Sequence, residues 1–124
     1  MDILHEKDLC YFEDPQAHSS LAEIMGLSGP LHRRAYSLAE TRLQKGGTVI
    51  RHHHNASEEI YLFTAGHCVM QVDDARINAA PGTVIAIQVG ERHEILPTAE
   101  DVVFYALSIP PYQPEDFIAE GDAE

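Results

Sequence analysis

Several of the usual signposts are scarce in this chain. No apolar run reaches the roughly 18 residues of a membrane-spanning helix, so no membrane partner is expected. Basic groups are few: 8 Lys and Arg stand against 20 Asp and Glu, for a formal charge of -12. Such a balance repels the phosphate backbone that nucleic-acid-binding proteins neutralise, and no nucleic-acid partner is expected either. Cysteine is limited to Cys10 and Cys68 in 124 residues. Two cysteines cannot build a disulfide framework of the secreted kind, and neither stands in a C-x-x-C pair of the sort that binds zinc. Cys68 reads simply as a small apolar residue on a strand. Residues 1–11 carry Asp2, Glu6 and Asp8 where an export signal would have a basic start and an apolar run. A cytoplasmic protein is the expectation.

What is present suits one globular core. The composition is 44% apolar and 23% charged, and a chain this long buries roughly two-thirds of its unfolded surface. From Arg34 onward, short segments rich in Val, Ile, Tyr, Phe and Thr alternate with Gly, Pro, Asn and Asp. That pattern predicts strands near 34–44, 48–54, 58–65, 67–72, 75–79, 83–88, 92–96 and 101–109. Many short strands joined by tight turns point to a sandwich or closed barrel, since a flat sheet would leave an apolar face and two edges exposed. Before them, Pro15, Gly26, Gly29 and Pro30 break the chain into pieces, and Ser20 followed by Glu23 resembles a helix capping box, which predicts one helical turn. After Ile109, Pro110, Pro111 and Pro114 end the sheet. A second helical turn is predicted at 115–119, and the acidic ends, 2–14 and 115–124, read as solvated. The chain thus divides into an N-terminal arm at 1–33, a barrel at 34–111 and an acidic C-terminal tail at 112–124.

The chemistry concentrates between Gly46 and Gly66 and again between Gly82 and Pro97. The first run holds His52, His53 and His54, then Glu58 and Glu59; the second supplies His93. Strand side chains alternate, so His52 and His54 share one face and His53 takes the other. After a turn at 55–57, either Glu58 or Glu59 faces the histidine pair. Three imidazoles and one carboxylate can close around a single divalent ion. A solvent-facing histidine cluster is the plain alternative. By the same parity Ile50, Tyr61 and Phe63 face inward, giving either a mostly apolar substrate pocket with one phenol or plain core packing, while Ile60 and Leu62 take the outer face and need covering by the other sheet, the arm or a second subunit.

The spacing Gly46-x5-His52-x-His54-x4-Glu59-x6-Gly66 resembles the first motif of the cupin superfamily at every defining position. The second motif is matched at Gly82, Gly90 and His93, with Gln88 and Pro97 where the family pattern has Pro and Asn. The 15-residue spacer from His67 to Pro81, and more loosely the segment at 110–116, are similar to those of small single-domain cupins. The resemblance implies an all-β fold, a double-stranded β-helix or jelly-roll barrel with a short irregular N-terminal arm. It also implies one divalent transition metal, Fe, Mn, Ni, Zn or Cu, held by His52, His54, Glu59 and His93. The frame selects Glu59 over Glu58, and Glu59 is also the candidate for a proton-accepting role. A homodimer is implied as well.

Four protein ligands in an octahedral frame leave about two positions open, which is a catalytic layout. The expected function is a metal-dependent enzyme of dioxygenase, decarboxylase, isomerase or lyase type. Its substrate would be a small oxygenated organic molecule: a carbohydrate, carboxylate or phenolic compound. The alternatives are a non-catalytic metabolite-binding module and a protein whose metal is structural.

Overall fold

The computed structural model describes residues 1–120. The arm opens with a 3-10 turn at Glu6–Asp8 and then forms β1 (Phe12–Asp14), β2 (Ser19–Gly26) and β3 (Leu31–His32). The helical turn predicted at Ser20–Glu23 is therefore replaced by strand. A capping box is a local signal, whereas β2 finds a long partner in β4 (Ser37–Leu43), with Leu21 opposite Thr41 and Ala22 opposite Glu40. Backbone pairing along that edge outweighs the one or two hydrogen bonds of an isolated turn.

All eight strands read from the sequence form. After β4 come β5 (Val49–His53), β6 (Glu58–Ala65), β7 (Cys68–Val72), β8 (Ala75–Ala79), β9 (Val84–Ile87), β10 (His93–Ile95) and β11 (Val102–Ile109). The tail corrects a second expectation: a 3-10 turn covers only Pro114–Asp116, and Ile118–Ala119 is a strand, β12, paired with β5. Two sheets result. One runs β1-β2-β4-β11-β6-β9, with β3 parallel to β2, and the other runs β12-β5-β10-β7-β8. Among the described residues no helix is long and apolar enough to cross a membrane. Residues 121–124, part of the tail expected to be solvated, lie outside the described residues.

The core lies between the sheets, where inward side chains of both interdigitate. Phe63, Met70, Ile95, Val102 and Phe104 are almost fully buried. Phe104 stacks on Tyr61 with ring centroids 4.7 Å apart and meets Phe63 at 5.3 Å. Truncating one such ring to Ala costs about 3–5 kcal/mol. The β6–β7 turn depends on Gly66. Its φ is +77°, and a Cβ there would stand 2.0 Å from the Asp101 carbonyl oxygen, so neither the backbone angle nor the space admits a side chain.

The acidic ends are largely solvated, as expected, but three of their carboxylates also pair with arginines of the barrel and arm. Asp2 pairs with Arg33, Glu6 with Arg42 at 2.7 Å, and Glu120 with Arg51 at 2.9 Å. Each of these pairs is exposed enough to contribute little alone. Together they tack the ends down onto the two sheets.

Candidate metal centre

β5 and β10 are neighbours in the smaller sheet, and His93 is the cross-strand partner of His52. His54 follows two residues after His52 on the same face, and Glu59 comes across from β6 in the other sheet. The four ligand atoms of His52, His54, Glu59 and His93 lie within 4.8 Å of one another, and all four residues are buried. That is the scale of one coordination shell, whose metal–nitrogen bonds run to about 2.1 Å.

The hydrogen bonds around the imidazoles decide which nitrogen faces the centre. His52 Nδ1 lies 2.7 Å from the Ile50 carbonyl, His93 Nδ1 3.0 Å from that of Glu91, and His54 Nδ1 2.8 Å from that of Asp116. A carbonyl only accepts, so in each ring Nδ1 carries the proton and donates it. In the neutral ring Nε2 is then a bare lone pair. Three such lone pairs converge with the Glu59 carboxylate, and His54 Nε2 is buried without a well-directed hydrogen bond although it stands 2.7 Å from Glu59 Oε1. His93 Nε2 is 3.1 Å from the same oxygen, and the Ser108 hydroxyl donates to Oε2 at 3.3 Å. Acceptors facing acceptors in a buried space call for a cation, and the donor set of three imidazoles and one carboxylate suits a divalent transition metal.

For His52 the electrostatics agree with that geometry. Burial, aided by the neighbouring His93, lowers the pKa of His52 to about 4, so its ring is neutral near pH 7. Burial acts to raise Glu59, but the facing His54 and His93 rings, which donate to it whenever they are protonated, outweigh it and hold the carboxyl at about 2. For His54 burial acts downward, and the Glu59 and Asp116 contacts more than reverse it.

The other candidate residues are placed differently. His53 points away from the cluster yet is 7% exposed, opposite Ile118 of β12, with its Nδ1 unpartnered. Glu58 is exposed, and the nearby Arg51 pairs with Glu120. A cavity of about 520 Å³ opens beside the histidines, and Ile50 and Tyr61 both line it. Ile50 stands 56% exposed rather than inside. Phe63 does not line the cavity: it is 0% exposed and packed against Phe104 in the core. The inward face of a strand serves the core at one end and the cavity at the other, which parity alone cannot separate.

Sequence reasoning missed the part played by 110–120. Asp116 accepts backbone N–H groups from Asn55, Ala56 and Ser57 at 2.8 to 3.1 Å, while its carbonyl takes the His54 proton. Phe117 stacks on His52 with centroids 4.1 Å apart and an interplanar angle of 19°. Tyr112 meets His54 edge-on at 6.3 Å. The one signal available was the likeness of 110–116 to a cupin tail. Of the two departures from the second motif, Gln88 sits in a turn closed by Glu91 N–H on its carbonyl at 3.1 Å, and that turn is pinned by Gly90 N–H to the His54 carbonyl at 2.8 Å. After Pro97, Thr98 exchanges backbone bonds with Gly46 and Gly47.

The family model for the cupin domain matches residues 39–110, more than half of the chain and all four candidate ligands. This chain is a cupin. Among solved structures similar to this cupin, the polyketide cyclase RemF from Streptomyces resistomycificus covers 100% of the chain and 88% of its own, with a TM-score of 0.81 and 18% identity. KdgF from a Halomonas species covers 93% and 97%, with a TM-score of 0.78 and 11% identity. A predicted oxalate decarboxylase from Thermotoga maritima covers 88% and 99%, with a TM-score of 0.76 and 22% identity. At these identities the likeness speaks for the jelly-roll barrel alone. Comparison with curated protein sequences gives no match.

Proposed function

We propose that this cupin is a metal-dependent enzyme acting on a small oxygenated organic molecule through one divalent ion held by His52, His54, Glu59 and His93. The observation that carries this is the convergence of three Nε2 lone pairs and a carboxylate within 4.8 Å at the wall of a cavity of about 520 Å³. A structural ion is closed off by protein ligands, whereas a cavity beside the site lets a substrate reach it. When bound, the ion would supply Lewis acidity or a site for oxygen, in chemistry of the dioxygenase, decarboxylase, isomerase or lyase kind. Fe, Mn, Ni, Zn and Cu all suit these ligands. The protein's part is to orient the rings through the carbonyls of residues 50, 91 and 116, and to keep Glu59 ionised. The description of RemF as a polyketide cyclase lends support to an enzymatic role on this barrel.

Elemental analysis of protein purified without a histidine tag tests the site. About one equivalent of a transition metal is expected, and its absence after growth on each metal would end the proposal. Turnover trials under air and under nitrogen then separate oxygenase from non-oxidative chemistry.

We further propose a cytoplasmic homodimer. Both cysteines, exposed Cys10 and buried Cys68, are free thiols, which suits a reducing compartment. On the outer face of the larger sheet, Leu62 is 41% exposed and Val84 opposite it 58% exposed. Ile60 and Leu107 are paired on the same face, a patch that a second copy could cover. Light scattering is expected to give twice the monomer mass, and Leu62→Lys to halve it.

A further inference from the structure

The proposed function leaves carbohydrates, carboxylates and phenolics open, and the walls of the cavity separate them, on the footing that the metal site is as proposed. Phe12, Leu21 and Ile50 are large apolar side chains at 75%, 43% and 56% exposure. Scattered singly, such residues mean nothing. These three come from β1 and β2 of one sheet and β5 of the other, and all line the same cavity. Deeper in, Tyr61, Phe104 and Ala106 continue the apolar wall toward the histidines. A ligand with an apolar body would cover this collar and gain from it.

Charge is the second observation. Among the described residues neither Lys nor Arg lines the cavity, and the ionisable groups that do, besides the tyrosines, are His52, His54, Asp14, Glu23 and Glu59. A divalent ion neutralised once by Glu59 keeps one net positive charge, enough for one anionic chelating group. A second negative charge on the ligand would find only the carboxylates of Asp14 and Glu23. A free sugar, polar all round, would leave the apolar collar of Phe12, Leu21 and Ile50 without a partner.

We infer that the cavity takes a ligand with one chelating oxygen pair on an uncharged, aromatic-sized apolar body, the phenolic class, in preference to dicarboxylates, sugar acids or free sugars. Phe12, Leu21 and Ile50 set the preference for the body, and Asp14 and Glu23 exclude the second charge.

Three hydroxamic acids with one chelating head test this on the Co(II)-loaded protein, read through the cobalt absorption spectrum. Benzohydroxamic acid is expected to bind about ten-fold or more tightly than acetohydroxamic acid, which lacks the apolar body, and by a similar factor over 4-carboxybenzohydroxamic acid, which adds a charge. Phe12→Ser and Leu21→Ser, at exposed positions, should shrink the first difference several-fold while leaving the acetohydroxamate affinity in place. Glu23→Gln and Asp14→Asn, made separately, should each shrink the second. Equal affinity for the three acids overturns this inference alone. A bound cobalt whose spectrum answers to none of them overturns the open coordination sphere, and this inference with it.

Discussion

Glu40 and Glu59 are both buried in the larger sheet, at 5% and 6% exposure, on opposite faces of it. Glu40 points outward and is met by finished donors: the Tyr11 hydroxyl at 2.7 Å, the Tyr105 hydroxyl at 2.8 Å and the Arg42 guanidinium. Burial acts to raise its pKa, but those three bonds bring it below the ordinary value of 4.5. Arg42 also lies over the Tyr11 ring, 4.7 Å from its centroid. Charge and hydrogen bonds therefore balance from this chain's residues alone. Glu59 faces inward to histidines whose protons are committed elsewhere. One carboxylate closes a structural cluster; the other stands in a donor set that could hold a cation. Depth of burial does not tell a functional carboxylate from a structural one, but the donor inventory around it does.

The sharpest way to break the contrast is to remove a ring nitrogen. His52→Ala or His93→Ala should weaken metal binding by more than about 100-fold, since the ligating nitrogen is lost together with the carbonyl bond that aims its ring. His53→Ala should leave it unchanged, measured by competition with a chromophoric chelator on tag-free protein. Equal losses in all three would show that the lone pairs at the centre are not what binds.

Next in size is Asp116→Ala. Loss of its bonds to the 55–57 turn should destabilise the fold by about 2–4 kcal/mol in urea melts. Through the His54 ring that this segment orients, metal affinity should fall by about 10-fold or more. A loss of stability with unchanged affinity would make the tail a brace and nothing else.

The Glu40 cluster offers a smaller effect with a pH signature. Glu40→Gln should cost about 1–3 kcal/mol near neutrality. A depressed carboxyl contributes fully above its unfolded pKa and loses that contribution as pH falls through its folded value. The gap between wild type and variant should therefore narrow below about pH 4.5, and metal affinity should not change with the mutation. Smallest of all, Glu58→Gln should shift neither stability, beyond about 0.5 kcal/mol, nor metal binding.

How far the sequence spoke depended on the range of the interaction. The eight strands, the shared face of His52 and His54 and the glycine at 66 were legible because each is written in a few consecutive residues. The metal cluster was legible through spacing that resembles the cupin motif, with His93 brought in by the closure of the barrel. Ser20 to Glu23 misled because a capping box and a strand can share the same four residues, and pairing with β4 decides between them. The tail misled because prolines and acids look alike whether solvated or docked; its hydrogen bonds lie 59 to 62 residues away along the chain. Phe63 stood open between pocket and core because an alternating pattern gives side but not depth, and the structure places it in the core.

The bond from His54 to the Asp116 carbonyl also orders events in time. During synthesis every candidate ligand, ending with residue 93, leaves the ribosome before the carbonyl that aims the ring of residue 54. A nascent chain thus carries all four donors while one of them still swings freely. The aim of that ring waits for residues 110–116 to dock, so whatever the four donors hold is gripped only after that stretch has been made.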